Sequence, residues 1–134
     1  MIKPKLMSNR KRVSLFVMVV IYIVAGLNHF IHPAFYTVIM PPYIPWHLPL
    51  VYISGVFEII LALALIPQTT RRYAAWGIIA LLIAIFPANV YMLQKYHAQQ
   101  HPQLWLMILR LPLQLVLIWW AYSFTKKPPL TKKR

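Results

Sequence analysis

Four long apolar segments constrain the fold of this chain more than any other feature. They cover residues 13–30, 48–66, 73–93 and 104–124. Each is close to the ~20 apolar residues that an α-helix needs to cross the hydrocarbon core of a bilayer. Apolar residues run around the whole circumference, as expected where one side meets lipid and the other meets protein. The sequence therefore predicts a single all-α domain, an integral membrane four-helix bundle.

The composition supports a membrane protein and argues against other classes. The chain is 60% hydrophobic and 11% charged, whereas a soluble domain is about a quarter charged. The net charge is +13, but the basic residues cluster outside the apolar segments and form no basic face, so no nucleic-acid partner is expected. The absence of Cys excludes disulfides and thiolate metal sites within the chain. The expected partner is the lipid bilayer.

The distribution of basic residues predicts the orientation. Nearly all of them fall in three regions, which are residues 1–12, Arg71 with Arg72, and residues 125–134. By contrast, residues 31–47 contain no Lys or Arg, and residues 94–103 contain only Lys95. By the positive-inside rule, both termini are cytoplasmic. We therefore predict a basic cytoplasmic N-terminus, a transmembrane domain at 13–124 and a basic cytoplasmic tail.

The segment between the first two spans is apolar, aromatic and rich in proline. It reads "IHPAFYTVIMPPYIPWHLP" at residues 31–49 and is too short and too broken to cross a membrane. We expect it to lie in the outer membrane interface, with a short helix at 33–40 that begins at Pro33. Its expected interfacial anchors are Tyr36, Tyr43 and Trp46. Two interpretations remain open: a connector that follows the membrane surface, or a lid over a site beneath it.

Six polar residues within or beside the spans are candidate ligand-binding residues. They are His29, Asn28, Glu58, Asn89, Arg110 and Gln114. At ~1.5 Å rise per residue, Arg110 lies roughly 9 Å and Glu58 roughly 14 Å below the outer start of its span. In the predicted orientation, all six fall between the bilayer midplane and the outer surface. Intramembrane polar residues in such a group are candidates for a functional site.

The only acidic side chain in the chain is Glu58. An ionised side chain at the bilayer centre costs at least ~2.5–3.5 kcal/mol, and a guanidinium can bind a carboxylate through two parallel hydrogen bonds. We therefore predict a buried Glu58–Arg110 ion pair, with Asn89 and Gln114 at its remaining hydrogen-bonding positions. The pair could form a functional cavity or only join the second span to the fourth.

The five histidines all fall at or outside the predicted outer ends of the spans. No two of them have the i, i+4 spacing on one helix that is typical of metal ligands. We therefore predict no metal site and expect no haem. His29 is deep enough to act as a hydrogen-bond partner or proton carrier in the polar site.

Two further patterns predict packing surfaces. Small residues at helical spacing indicate close approach of a neighbouring helix in lipid, and on the third span these are Gly77, Ala80, Ala84 and Ala88. Aromatic residues near the inner end of the fourth span predict membrane anchors or the face of a homodimer, and these are Trp119, Trp120 and Tyr122.

The chain resembles the DoxX family of small four-helix bacterial membrane proteins over about residues 25–124. The resemblance rests on "AGLNHFIHPAFYTVIMPPYIP", on "LVYISGVFEII" and the residues that follow it through "FPAN", and on "LRLPLQLVLIWWAYSF". It implies a location in the bacterial cytoplasmic (inner) membrane and a link to membrane redox processes. The family takes its name from a subunit associated with a thiosulfate:quinone oxidoreductase, so a redox-protein partner and a quinone ligand are expected.

These observations favour an accessory or quinone-binding subunit without catalytic activity of its own. Two alternatives remain: a small proton-coupled transporter, or a membrane enzyme that acts on a lipid-like substrate. An arginine paired with Glu58 would neutralise the carboxylate that a proton-coupled transporter needs. The sequence has no clear nucleophile–base pair or metal motif for an enzyme.

Overall fold

The computed structural model describes residues 2–4, 7–38, 40–126 and 130–132. Between Asn9 and Tyr122, the described residues confirm the predicted all-helical domain, with four helices long and apolar enough to cross a membrane. The helices are α1 (Asn9–Ile31), α2 (Pro33–Thr37), α3 (His47–Ala64), α4 (Gln68–Ala98) and α5 (Leu104–Tyr122). The four apolar helices α1, α3, α4 and α5 are consistent with an integral membrane protein.

The bundle has two ends, which we call the α2 end and the terminal end. The α2 end holds α2 and the α4–α5 connection, and the terminal end holds the start of α1 and the close of α5. Near the terminal end, the backbone of Ile2–Pro4 (β1) pairs antiparallel with that of Leu130–Lys132 (β2). Trp120 Nε1 also donates to Ser14 Oγ at 2.7 Å. Both described chain ends therefore lie together.

The α3–α4 corner shows how a basic residue can end a helix. The last carbonyls of a helix lack intrahelical donors, and a cation there also interacts favourably with the helix dipole. Arg71 fills this role, since its Nε donates to Leu65 O at 2.8 Å and its Nη2 to Ile66 O at 2.7 Å. Thr70 Oγ1 donates to Ala64 O at 2.6 Å. Arg71 therefore fixes this corner in addition to contributing positive charge.

The apolar core joins all four long helices near the terminal end. Its largest fully buried side chains there include Met18 of α1, Leu65 directly after α3, and Ile78 of α4. Ala121 and Phe124 close the core at the end of α5. At the α2 end, by contrast, the buried apolar residues of α4 and α5 form a separate cluster around Met92 and Met107. The two helix pairs α1–α3 and α4–α5 therefore have separate interiors at that end.

Two glycines hold α1 and α3 together at close range. A Cβ placed on Gly26 would lie 2.8 Å from Gly55 O, and a Cβ on Gly55 would lie 2.9 Å from Gly26 O. Each glycine thus faces the backbone of the other helix, where any larger residue would push the helices apart. Close approach of small residues is a common means of helix packing in lipid.

The predicted packing role of the small residues on the third span is wrong for most of that stripe. Ala80 and Ala84 are exposed, and Ala88 is half-buried. At Gly77, an added Cβ would lie 2.6 Å from Leu61 Cδ2, so this position does pack closely against α3. The core face of α4 carries Ala74, Ala75, Ile78 and Leu82 instead.

The aromatic residues near the end of α5 divide between the surface and the interior. Trp119 and Tyr122 are exposed, as an anchor or contact face requires, whereas Trp120 is half-buried against α1. Large apolar residues are also exposed along every long helix, for example Val20, Ile60, Ile83 and Leu115. Such surfaces suit contact with lipid.

Candidate functional site

A buried histidine–carboxylate pair lies where α1 crosses α3. His29 Nδ1 is 3.2 Å from Glu58 Oε2, and the two side chains are only 10% and 11% exposed. Each residue follows a packing glycine by three positions, Gly26 on α1 and Gly55 on α3. Residues three apart share a helix face, so the glycine contact brings the two polar side chains together.

The predicted Glu58–Arg110 ion pair is wrong. Among the described residues, His29–Glu58 is the one contact within 4.0 Å between a carboxylate and a basic side chain. No described Cα of α3 lies within 8 Å of one in α5, because α3 packs on α1 and α4 while α5 packs on α4. Arg110 instead donates from Nη1 to Met92 Sδ at 3.2 Å. The prediction failed because it paired Glu58 with Arg110 by their expected depth in the membrane. The sequence does not show which helices are neighbours.

The polar region around Glu58 extends towards the middle of the bundle. His29 Nδ1 lies 2.7 Å from Ala25 O, which places a proton on Nδ1 in the direction of that carbonyl. Glu58 Oε2 and Tyr22 Oη are buried and receive no hydrogen bond from the described residues. Polar atoms of this kind are costly in an apolar interior. Both residues lie on buried faces of α1 and α3, so this region is a candidate functional site.

Tyr36 of α2 covers His29. The two rings are stacked with centroids 3.9 Å apart and an interplanar angle of 12°, and Asn28 Nδ2 donates to Tyr36 Oη at 2.7 Å. The sequence analysis predicted Tyr36 as an interfacial anchor and did not predict its contact with His29. The turn at His32, followed by Pro33 at the first position of α2, folds the chain back over the end of α1. Proline directly after the histidine was the available signal.

A groove opens beside this chain of contacts. Its volume is about 410 Å³. It is lined by Asn28, Ile31, His32, Pro33, Ala34 and Phe35. Asn28 therefore belongs to both the groove and the contact series Asn28–Tyr36–His29–Glu58, which we call the α1–α3 polar cluster.

A second polar cluster joins α4 and α5. Asn89 Nδ2 donates to Gln114 Oε1 at 2.7 Å, and Gln114 Nε2 donates to Leu82 O. Pro87 lies inside α4, and its missing N–H and its ring disturb the hydrogen bonds of the preceding turn. Gln114 Nε2 donates to the carbonyl of Leu82, next to Ile83, whose own carbonyl lacks the N–H that Pro87 cannot supply. We call Asn89, Gln114 and Arg110 the α4–α5 polar cluster.

The structure thus divides the six predicted site residues into two groups. Asn28, His29 and Glu58 lie between α1, α2 and α3, whereas Asn89, Arg110 and Gln114 lie between α4 and α5. The predicted support of Glu58 by the amides of Asn89 and Gln114 is also wrong, because these amides bond to each other and to Leu82.

The fold and the two clusters define a class, a small four-helix protein of membrane-spanning type with polar groups buried between its helix pairs. The chain belongs to the family described as Domain of unknown function (DUF8561), whose model matches residues 18–125. The matched region includes both polar clusters. Neither a curated protein nor a solved structure matches the chain.

Proposed function

We propose that the protein is a ligand-binding accessory subunit of a membrane redox system, and that it holds the polar headgroup of a quinone-like lipid at the α1–α3 polar cluster. The observation that carries the proposal is the continuous series of contacts from the groove at Asn28, through Tyr36 and His29, to the buried Glu58. The resemblance to the DoxX family supports the same class of ligand.

A quinone suits this place for chemical reasons. Its carbonyl oxygens accept hydrogen bonds, and its ring and tail are apolar. Asn28 and Tyr36 carry donor groups beside the groove, and the groove is otherwise lined largely by apolar side chains. Binding sites for small ligands commonly combine an apolar lining with a few placed polar groups. The exposed apolar faces of α1 and α3 would let the tail remain in lipid.

In this proposal α2 acts as a lid. Tyr36 lies over His29, so movement of α2 would expose the histidine and Glu58 to the groove. The proposed orientation places both termini in the cytoplasm and α2 at the outer face of a bacterial inner membrane, in accordance with the positive-inside rule. A redox-protein partner would then supply or receive the electrons of the bound quinone.

The experiment is a titration of the purified protein in detergent with a short-tail benzoquinone, followed by quenching of its tryptophan fluorescence. We expect saturable binding to the wild type. Asn28→Leu removes a donor beside the groove and should raise Kd roughly fivefold, which corresponds to a lost hydrogen bond of about 1 kcal/mol. Tyr36→Phe should have a similar effect while retaining the ring.

Asn89→Leu is the matched control, because it makes the same chemical change in the α4–α5 polar cluster. Its Kd should stay at the wild-type value. An equal loss of affinity in Asn28→Leu and Asn89→Leu, or no saturable binding by the wild type, would refute a quinone site at the groove.

A proton-coupled transporter is the second candidate, and one observation favours it. Arg110 lies away from Glu58, so the carboxylate is not neutralised by a guanidinium. A single membrane carboxylate next to a histidine is a suitable group for carrying protons. The main objection raised by the sequence to this class therefore no longer applies.

Proton flux in proteoliposomes under an imposed pH gradient tests the transporter. Glu58→Gln should abolish the flux, and Arg110→Gln should leave it unchanged. Absence of flux in the wild type, or flux that persists in Glu58→Gln, would remove this candidate.

A further inference from the structure

Arg110 lies in the fourth apolar span and has no carboxylate side chain within 4.0 Å in the part of the chain that the structure describes. Glu58 is the only acidic side chain in the sequence. It is buried against His29 on α3, and no described Cα of α3 lies within 8 Å of α5. The glutamate of a second copy would be equally buried and could not reach across an interface. Arg110 therefore needs a counter-ion from outside the protein.

The hydrogen bonding of Arg110 leads to the same conclusion. A guanidinium has five N–H donors. In the described residues, Arg110 makes one side-chain contact, from Nη1 to the thioether sulfur of Met92, which is a weak acceptor. The side chain is half-buried, so most of its donors remain for an acceptor at the surface of the bundle. A phosphate matches them well, because guanidinium binds phosphate through parallel hydrogen bonds.

The position of Arg110 along α5 sets the reach of such a contact. Arg110 is six residues beyond Leu104, the first residue of α5, or roughly 9 Å along the axis. A long arginine side chain can extend from this depth to the headgroup level while its stem stays in apolar surroundings. Lys95 lies three residues after Met92 on α4, on the same face and nearer the α2 end. It adds a second positive charge.

We propose that Arg110, with Lys95, forms a binding site for a phosphate group of net negative charge at the α2 end of the α4–α5 pair. The source is an anionic phospholipid headgroup in that leaflet or a soluble phosphate. This site is separate from the quinone site and does not depend on it.

The test is native mass spectrometry of the full-length protein in a neutral detergent, titrated with short-chain phosphatidylglycerol. For the first bound lipid, phosphatidylglycerol should have a lower Kd than phosphatidylcholine of the same chain length. Only phosphatidylglycerol has a net negative charge. Arg110→Gln should raise the Kd for phosphatidylglycerol roughly tenfold or more, as expected for a lost charge-assisted hydrogen bond.

Two further variants show whether the effect is specific to the guanidinium of Arg110. Arg72→Gln makes the same change at the terminal end of the bundle and should leave this Kd unaltered. Arg110→Lys retains the charge and loses the fork, so its Kd should lie between those of wild type and Arg110→Gln. If Arg110→Gln folds poorly, Arg110→Lys should still bind phosphatidylglycerol more weakly than the wild type, and an unchanged Kd would count against the proposal.

Added inorganic phosphate distinguishes the two sources. Competition with the lipid would support a site that accepts phosphate from solution, and lack of competition would support a site specific for the lipid headgroup. Equal effects of Arg110→Gln and Arg72→Gln, or no preference for phosphatidylglycerol over phosphatidylcholine, would overturn the proposal.

Discussion

His29 is the residue on which the interpretation of the site depends. It contacts Glu58 on one side and the ring of Tyr36 on the other. It therefore connects the buried carboxylate to the surface groove at Asn28. A histidine can gain or lose a proton near neutral pH more readily than an arginine. With His29 beside Glu58, the site has a partner that can exchange a proton near neutral pH. The predicted partner, Arg110, would have stayed charged.

The Asn89–Gln114 hydrogen bond gives the first prediction. Replacing Asn89 and Gln114 with Leu, singly and together, forms a double-mutant cycle. Hydrogen bonds between membrane helices contribute about 0.6 kcal/mol on average and up to about 1.7 kcal/mol, so we expect a coupling energy in that range. Unfolding in a denaturing detergent measures it. Additive effects of the two single variants would show that the amides do not interact.

The α1–α3 crossing gives the second prediction, because a methyl group has no space there. In Gly55→Ala, the new Cβ would lie 2.8 Å from His29 Cβ and 2.9 Å from Gly26 O. Overpacking of this kind costs about 1–3 kcal/mol, so the free energy of unfolding in detergent should fall by that amount. The His29–Glu58 contact should also loosen.

Gly77→Ala is the control for this prediction. Its Cβ would lie 2.6 Å from Leu61 Cδ2, the end of a side chain that can rotate away. The loss of stability should therefore be smaller than in Gly55→Ala. If Gly77→Ala proved as destabilising as Gly55→Ala, or more so, the Gly26–Gly55 contact would not be the most tightly packed point between the helices.

The helices themselves could be predicted from the sequence, but their neighbours could not. Hydropathy and length identified the four spans because a bilayer demands some 20 apolar residues per helix. Gly55, Glu58 and Ala62 have the spacing of one helix face, and the structure buries all three. Periodicity does not say which helix that face meets. Glu58 was therefore paired with Arg110 because the two residues were expected at similar depths. In the structure, the contact between Gly26 and Gly55 makes α1 the neighbour of Glu58.

The aromatic segment between α1 and α3 shows a second limit. Pro33 correctly indicated the start of a short helix, which ends at Thr37. Tyr43 and Trp46 are 76% exposed, as anchors should be. The inward role of Tyr36 depends on the backbone angles of His32, which lie outside the regular helical region. A single irregular residue of this kind leaves no periodic signal.

The whole molecule is two helix pairs that share an apolar core at one end and carry separate polar clusters at the other. This division allows two independent sites in a chain of 134 residues. It also separates the buried carboxylate from Arg110. In the proposed membrane location, the orientation of the bundle decides which side of the membrane the two polar clusters face.

The absence of Cys makes the orientation directly testable. Gln68 and Gln99 are both exposed and lie at opposite ends of α4, so Gln68→Cys and Gln99→Cys form a matched pair. In intact bacterial cells, a membrane-impermeant maleimide should label Gln99→Cys several-fold more than Gln68→Cys. The reverse pattern would place both chain ends outside the cytoplasm.

The most direct test of the account is the carbon-13 NMR signal of the Glu58 carboxyl group. Because the chain contains one Glu and no Asp, labelling with carboxyl-¹³C glutamate gives a single acidic side-chain resonance. We predict that His29→Gln shifts this resonance and that Arg110→Gln leaves it in place. A resonance that moves with Arg110→Gln and ignores His29→Gln would contradict the structure of the site.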